Sequence, residues 1–80
     1  MAHHGMEVRH LEEANRHLAG NAERIAKQEQ LVATLDRDGH DTKEAVHLLG
    51  LLRDLQTEGI AHRQHILEAL NGPEDGAAPG

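Results

Sequence analysis

Leu11, Leu18, Ile25 and Val32 recur every seven residues through the first half of the chain. On an α-helix a seven-residue apolar repeat makes a stripe that drifts only slowly around the axis. That commits the stretch EVRHLEEANRHLAGNAERIAKQEQLVATLDRD to lie along another helix for most of its length. Ala14, Ala22, Ala26 and Ala33 flank the repeat at helical spacing, while Glu12, Arg16, Glu23, Lys27 and Gln30 fall on the far side. The stripe is narrow and lined with small side chains, so a partner helix can come close.

A second helical pattern begins after residue 41, in TKEAVHLLGLLRDLQTEGIAHRQHILEAL. Ala45, Leu48, Leu52, Leu55, Ile66 and Leu70 form one stripe, and Leu49, Leu51, Ile60 and Leu67 widen it. At roughly 100° per residue these positions cover about half the helix circumference, whereas one packing neighbour requires a stripe of roughly 100°. One partner helix therefore leaves apolar surface over. The expected fold is all-α, an antiparallel two-helix hairpin over about 7–37 and 42–70 with a turn at 38–41, completed as a four-helix bundle by homodimerisation. Residues 1–6 are expected to be flexible. Gly72 and Pro73 stop the second helix, and the small polar tail 71–80 is expected to be disordered. Folding at Gly39 pairs residues whose numbers sum to about 80, placing Leu35 against Ala45, Val32 against Leu48, Ile25 against Leu55, Leu18 against His62 and Leu11 against Leu70.

The corner LDRDGHDTKEA packs several carboxylates around a glycine and a histidine. Gly39 is placed to take the left-handed conformation that closes a helix, and Asp41 with Glu44 has the spacing of a capping box that opens the next; Thr42 is the alternative cap. The competing reading is a calcium loop. With Gly39 at the sixth position of such a loop, Thr34 stands where the first carboxylate belongs and Asp41 where an apolar residue belongs. Ala45 then replaces the bidentate Glu. The turn reading stands.

The run ERIAKQEQLVATLDRDGHDTKEAVHLL resembles a group of short, uncharacterised bacterial helical-hairpin proteins, in which an E-R-x-I-x-x-Q helix leads through a D-G-H-D-T corner into a Leu-rich second helix. The resemblance covers residues 11 to about 70 and is most specific at the corner. It implies a helical hairpin and carries no activity with it.

Composition narrows the function classes. The 80 residues form one small domain whose own core supplies only a few kcal/mol, so external help is expected. Without cysteine, disulfides and thiolate metal sites are closed, leaving histidine sites or self-association. The absence of Phe, Tyr and Trp suits helix-on-helix packing better than a β-sandwich and removes base-stacking platforms. The formal charge is −6 with Lys and Arg scattered singly, so the footprint of a nucleic-acid binder is missing. No apolar run can span a bilayer and the N-terminus lacks the apolar core of a signal peptide, which makes a cytoplasmic protein the expectation. Serine is absent too, the carboxylates lie mostly on solvated faces, and Gly20, Gly50 and Gly59 stand singly. No enzyme chemistry and no cofactor is expected.

The eight histidines are the one compositional feature with chemical promise. Folding at Gly39 brings His17 near His62 and His65, with His10 farther along and Glu13 four residues before His17, a set that zinc or copper could use. The alternative for His62 is a seam position opposite Leu18, Asn21 and Asn15, where a neutral imidazole bonded to an Asn fixes the register. Gly59, in mid-helix, suggests close helix approach near Asn21 and Ala22. LLGLL fits an L-x-x-L-L docking string, but its leucines belong to the broad stripe and read as packing.

The sequence thus points to a non-catalytic interaction or regulatory module that pairs with itself or a helical partner, using Leu31, Leu49, Leu51 and Leu67 as the interface, with neither nucleic acid nor membrane as partner. A histidine-based metal-binding or metal-responsive protein is the alternative.

Overall fold

The computed structural model describes residues 2–71, with side chains from Val8 onward. Two helices account for almost all of it: α1 (Ala2–Arg37) and α2 (Lys43–Leu70), packed antiparallel along their length. Helix α1 begins at Ala2 instead of residue 7, so residues 2–6 of the segment expected to be flexible lie in the helix, and Met1 lies outside the described residues. Residues 72–80, most of the tail expected to be disordered, lie outside the described residues.

The corner follows from hydrogen-bond bookkeeping at the end of α1, where the last carbonyls have no intrahelical partner. His40 N–H donates to Leu35 C=O at 2.8 Å and Gly39 N–H donates to Asp36 C=O at 3.1 Å, the paired reverse bonds of a Schellman motif. That geometry needs a left-handed residue at Gly39, whose φ is +78°. A side chain there would bring its Cβ against the following carbonyl. The start of α2 departs from the expected capping box. Lys43 N–H donates to Asp41 Oδ1 at 2.9 Å, and Thr42, the residue preceding the helix, makes no side-chain cap bond. Asp41 thus satisfies a donor two residues on, in the manner of an Asx turn, and the Asp41–Glu44 exchange is not formed.

Burial along both helices alternates by three and four residues. On α1 the inward positions are Leu11, Ala14, Leu18, Asn21, Ile25, Gln28, Val32 and Leu35; on α2 they are Ala45, Leu49, Leu52, Gln56, Gly59, Arg63, Ile66 and Leu70. This is the seam of a two-stranded antiparallel coiled coil. It differs from the expected α2 stripe, because Leu48 and Leu55 turn outward and Leu49 turns in, to 7% exposure. Facing residue numbers sum to 77 at Leu18 with Gly59 and at Asn21 with Gln56, not to about 80. The slide of nearly one turn has an identifiable physical basis. In the expected register the isobutyl group of Leu18 would press on an imidazole; in the observed one it lies on the bare backbone of Gly59, and Asn21 finds an amide partner.

The resulting molecule measures 60 × 24 × 13 Å. A helix with its side chains is roughly 10–12 Å across, so the protein is two helices wide and one helix thick. Each helix has one neighbour, and both broad faces of the layer meet solvent. Only Ala14, Leu49 and Ile66 are buried apolar residues among those described. Leu49 and Ile66 contribute on the order of 1.5–3 kcal/mol each by leaving water, a small core for a chain of this size.

Candidate interaction surface

Positions on either side of the seam decide what the two broad faces carry. In an antiparallel pair, residues just before a seam position on one helix lie beside the equivalent residues on the other, and likewise those just after. The first face is therefore lined by His10, His17, Arg24 and Leu31 from α1 and by Leu48, Leu55, His62 and Ala69 from α2. The second carries Val8, Asn15, Ala22, Glu29 and Asp36 opposite Val46, Arg53, Ile60 and Leu67. Two observations fix these sides. Arg53 donates to Glu29 at 2.8 Å across the second face, and His17, Arg24, Leu55 and His62 together line one groove on the first.

Apolar exposure is concentrated on α2. Leu48, Leu51 and Leu55 are 46%, 48% and 57% exposed, and Leu31 of α1, beside Leu48 on the same face, is 45% exposed. Leu51 sits on the outer flank of α2, one turn from Leu48 and Leu55, so the three leucines make a second stripe next to the seam. On the opposite face Val46 and Ile60 are also exposed, with Leu67 half-buried, but the Arg53–Glu29 pair separates Val46 from the other two. Of the four residues expected to form the interface, Leu31 and Leu51 stand in solvent on the first face or its edge. Leu67 belongs to the second face, and Leu49 is spent in the hairpin's own seam.

Beyond Leu55 the first face opens into a groove of about 540 Å³, floored by Ala14, Leu18 and Gly59 and walled by His17, Arg24 and His62. Two of its floor residues, Ala14 and Gly59, lack bulk: a Cβ on Gly59 would stand 2.8 Å from Leu18 Cδ2, so the Leu18 side chain lies directly on the Gly59 backbone and the space above stays unfilled. This is the close approach that Gly59 suggested, made to Leu18 and not to Asn21 and Ala22.

The candidate metal set of His17, His62 and His65 is not brought together. His17 and His62 share the groove, but His65 points outward with a side chain 84% exposed, 4.0 Å from Glu68 of its own helix. A smaller recess of about 270 Å³ is lined by His10, Glu13, Ala14, His17 and His62. No group of three or more His, Asp or Glu is placed to hold an ion among the described residues, at the corner or elsewhere. His62 also lacks its proposed register role, since it is exposed and the asparagines bond other partners, Asn21 donating to Leu52 and Gln56 and Asn15 accepting from Arg63.

That role falls to Asn21 with Gln56 and Gln28, the last two being residues to which the sequence reading gave no part. Asn21, 9% exposed, donates through Nδ2 to Leu52 C=O and to Gln56 Oε1, both at 3.0 Å; Gln56 Nε2 donates to Leu18 C=O at 3.1 Å. Gln28 Nε2 donates to Ala45 C=O at 2.9 Å. Each amide bonds the backbone of the opposite helix and so resists sliding. The signal was present: Ala14, Asn21, Gln28 and Leu35 are themselves spaced by seven, three residues on from the leucine column. Every buried side-chain nitrogen and oxygen among the described residues has a partner.

Comparison of the chain with known protein families, with curated proteins and with solved structures gives no match. The first-helix run reads Glu23-Arg24-Ile25-Ala26-Lys27-Gln28, one residue shorter between Arg and Ile than the E-R-x-I-x-x-Q pattern, and the expected resemblance draws no support from these comparisons. The function must be argued from the surface itself. No described helix is long and apolar enough to cross a membrane.

Proposed function

We propose that the chain is a non-catalytic helical interaction or regulatory module of the cytoplasm, which self-associates through its Leu-rich second helix and completes a four-helix bundle as a homodimer. The observation that carries this reading is the mismatch between core and surface. A layer one helix thick buries three apolar residues, while Leu48, Leu51 and Leu55 of one helix stand about half exposed beside Leu31. Contiguous apolar patches of this kind mark partner surfaces or aggregation hazards. A second copy supplies the missing layer with the chain's own chemistry, and twofold symmetry doubles each buried leucine. A foreign helix would use the same face.

Light scattering on the untagged chain at micromolar concentration tests the reading. The dimer mass is expected, and Leu51→Glu should shift the protein toward monomer and lower its helicity together, while Glu12→Lys, on the solvated side of α1, should do neither. A monomeric and fully helical wild type would overturn self-association.

A second reading, histidine-based metal binding, rests on the eight histidines of the sequence, since no group of three or more of the described His, Asp and Glu side chains is placed to hold an ion. Its test is the zinc titration described below.

A further inference from the structure

The first face carries a projection and a depression side by side. Leu51 and Leu55 project from the outer flank of α2, and one to two turns farther along the helix lies the groove floored by Ala14, Leu18 and Gly59. In a twofold interface residue i of one copy meets residue j of the other and j meets i, so a surface bearing both shapes is complementary to itself under one particular rotation.

We propose that the homodimer is antiparallel and joins first face to first face. The twofold axis passes by Leu55, and Leu51 of each copy seats in the other's groove above Gly59. This rests on the self-association reading and specifies its geometry. Three observations lead to it. A parallel dimer would set projection on projection and leave the two grooves facing each other empty, whereas the antiparallel one fills both. With the axis at Leu55, residues of the two α2 helices whose numbers sum to 110 face each other, so Leu51 meets Gly59 and Leu48 meets His62, while Leu55, among the most exposed large apolar residues, meets its own copy. Leu18 fills the space beside Gly59 from within the hairpin, and the groove of about 540 Å³ above them leaves room for a leucine from outside.

The choice of face has its own reason. The second face is crossed by the Arg53–Glu29 pair, whose side chains are 57% and 50% exposed. Covering that face would strip water from both charges at its centre, whereas the charged residues of the first face, Arg24 and Glu58, border the groove and leave the leucine stripe itself uncharged.

Because the chain has no cysteine, single substitutions report contacts without background. Bridging requires Cα atoms within about 7 Å, so mild oxidation of the full chain followed by non-reducing gel electrophoresis reads the geometry. Leu55→Cys should crosslink with itself. Leu48→Cys alone should not, and neither should His62→Cys alone, but an equimolar mixture of the two should give the heterodimer as the dominant covalent species. Light scattering on the reduced variants confirms that each remains a dimer before oxidation. Self-crosslinking of Leu48→Cys and His62→Cys as efficient as that of Leu55→Cys would show a parallel dimer and overturn the proposal while leaving self-association intact. Self-crosslinking of Ile60→Cys with none at Leu55→Cys would place the interface on the second face and overturn it as well. A monomeric wild type would remove both readings together.

Discussion

Glycine-to-alanine substitution is one chemical change with different expected outcomes at the described glycines, and Gly59 is the informative site. In a helix interior Ala is favoured over Gly by about 0.8–1.0 kcal/mol. At Gly20 and Gly50 an added Cβ meets nothing within 4 Å, so the whole of that gain should appear as stability. At Gly59 the same Cβ would lie 2.8 Å from Leu18 Cδ2, inside the roughly 3.5–4.0 Å of an ordinary carbon contact. Leu18 must turn, its flexible Cδ2 tip swinging toward the groove at the low end of the cost, or the helices must separate, and overpacking of this kind costs about 1–3 kcal/mol. The net for Gly59→Ala is therefore between about zero and 2 kcal/mol of destabilisation, and its distance from Gly50→Ala is about 1–3 kcal/mol, the overpacking cost itself. Urea unfolding followed by circular dichroism, at one fixed protein concentration, measures it. Melting temperatures should separate by several degrees, since about 1 kcal/mol moves a domain of this size by roughly 4–8 °C. The double substitution Leu18→Ala, Gly59→Ala isolates the cause: with the isobutyl group gone, Gly59→Ala should regain the stabilisation seen at Gly50. Equal stabilisation by Gly59→Ala and Gly50→Ala in the otherwise unaltered chain would refute both the close approach and the register built on it.

Gly39→Ala, at φ +78°, should destabilise by on the order of 1–2 kcal/mol, while millimolar calcium leaves the melting curve unmoved. Asn21→Ala removes two interhelical hydrogen bonds and should cost about 1–3 kcal/mol, and its coupling to Gln56→Ala in a double-mutant cycle should be clearly non-zero, whereas additive effects would argue against the amide pair. Arg53→Ala breaks a solvent-exposed ion pair and should change stability by less than about 1 kcal/mol, with the difference vanishing in high salt. For zinc, calorimetric titration should show affinity falling gradually as histidines are replaced one by one; a sharp loss of a simple stoichiometry on replacing His10, His17 or His62 alone would favour the metal reading.

The two helices, their antiparallel pairing and the left-handed close at Gly39 were legible in the sequence, whereas the capping box expected at Asp41 and Glu44 is not formed. The reason is locality: the seven-residue spacing of Leu11, Leu18, Ile25 and Val32 fixes a helical face, and a left-handed closure at Gly39 is set by the steric demands of a single residue. Register and face were decided only by tertiary structure. Leu48 and Leu49 are equally apolar neighbours 100° apart on the wheel, so hydrophobicity along one strand of sequence does not choose between them. The choice is made by what stands opposite. Asn21 needs an amide and finds Gln56, Leu18 needs space and finds Gly59, and satisfying both rotates α2 so that Leu49 enters the seam while Leu48 and Leu55 face outward. The exposed leucine face and the groove beside it are consequences of that rotation, which depends on pairs of residues more than thirty positions apart.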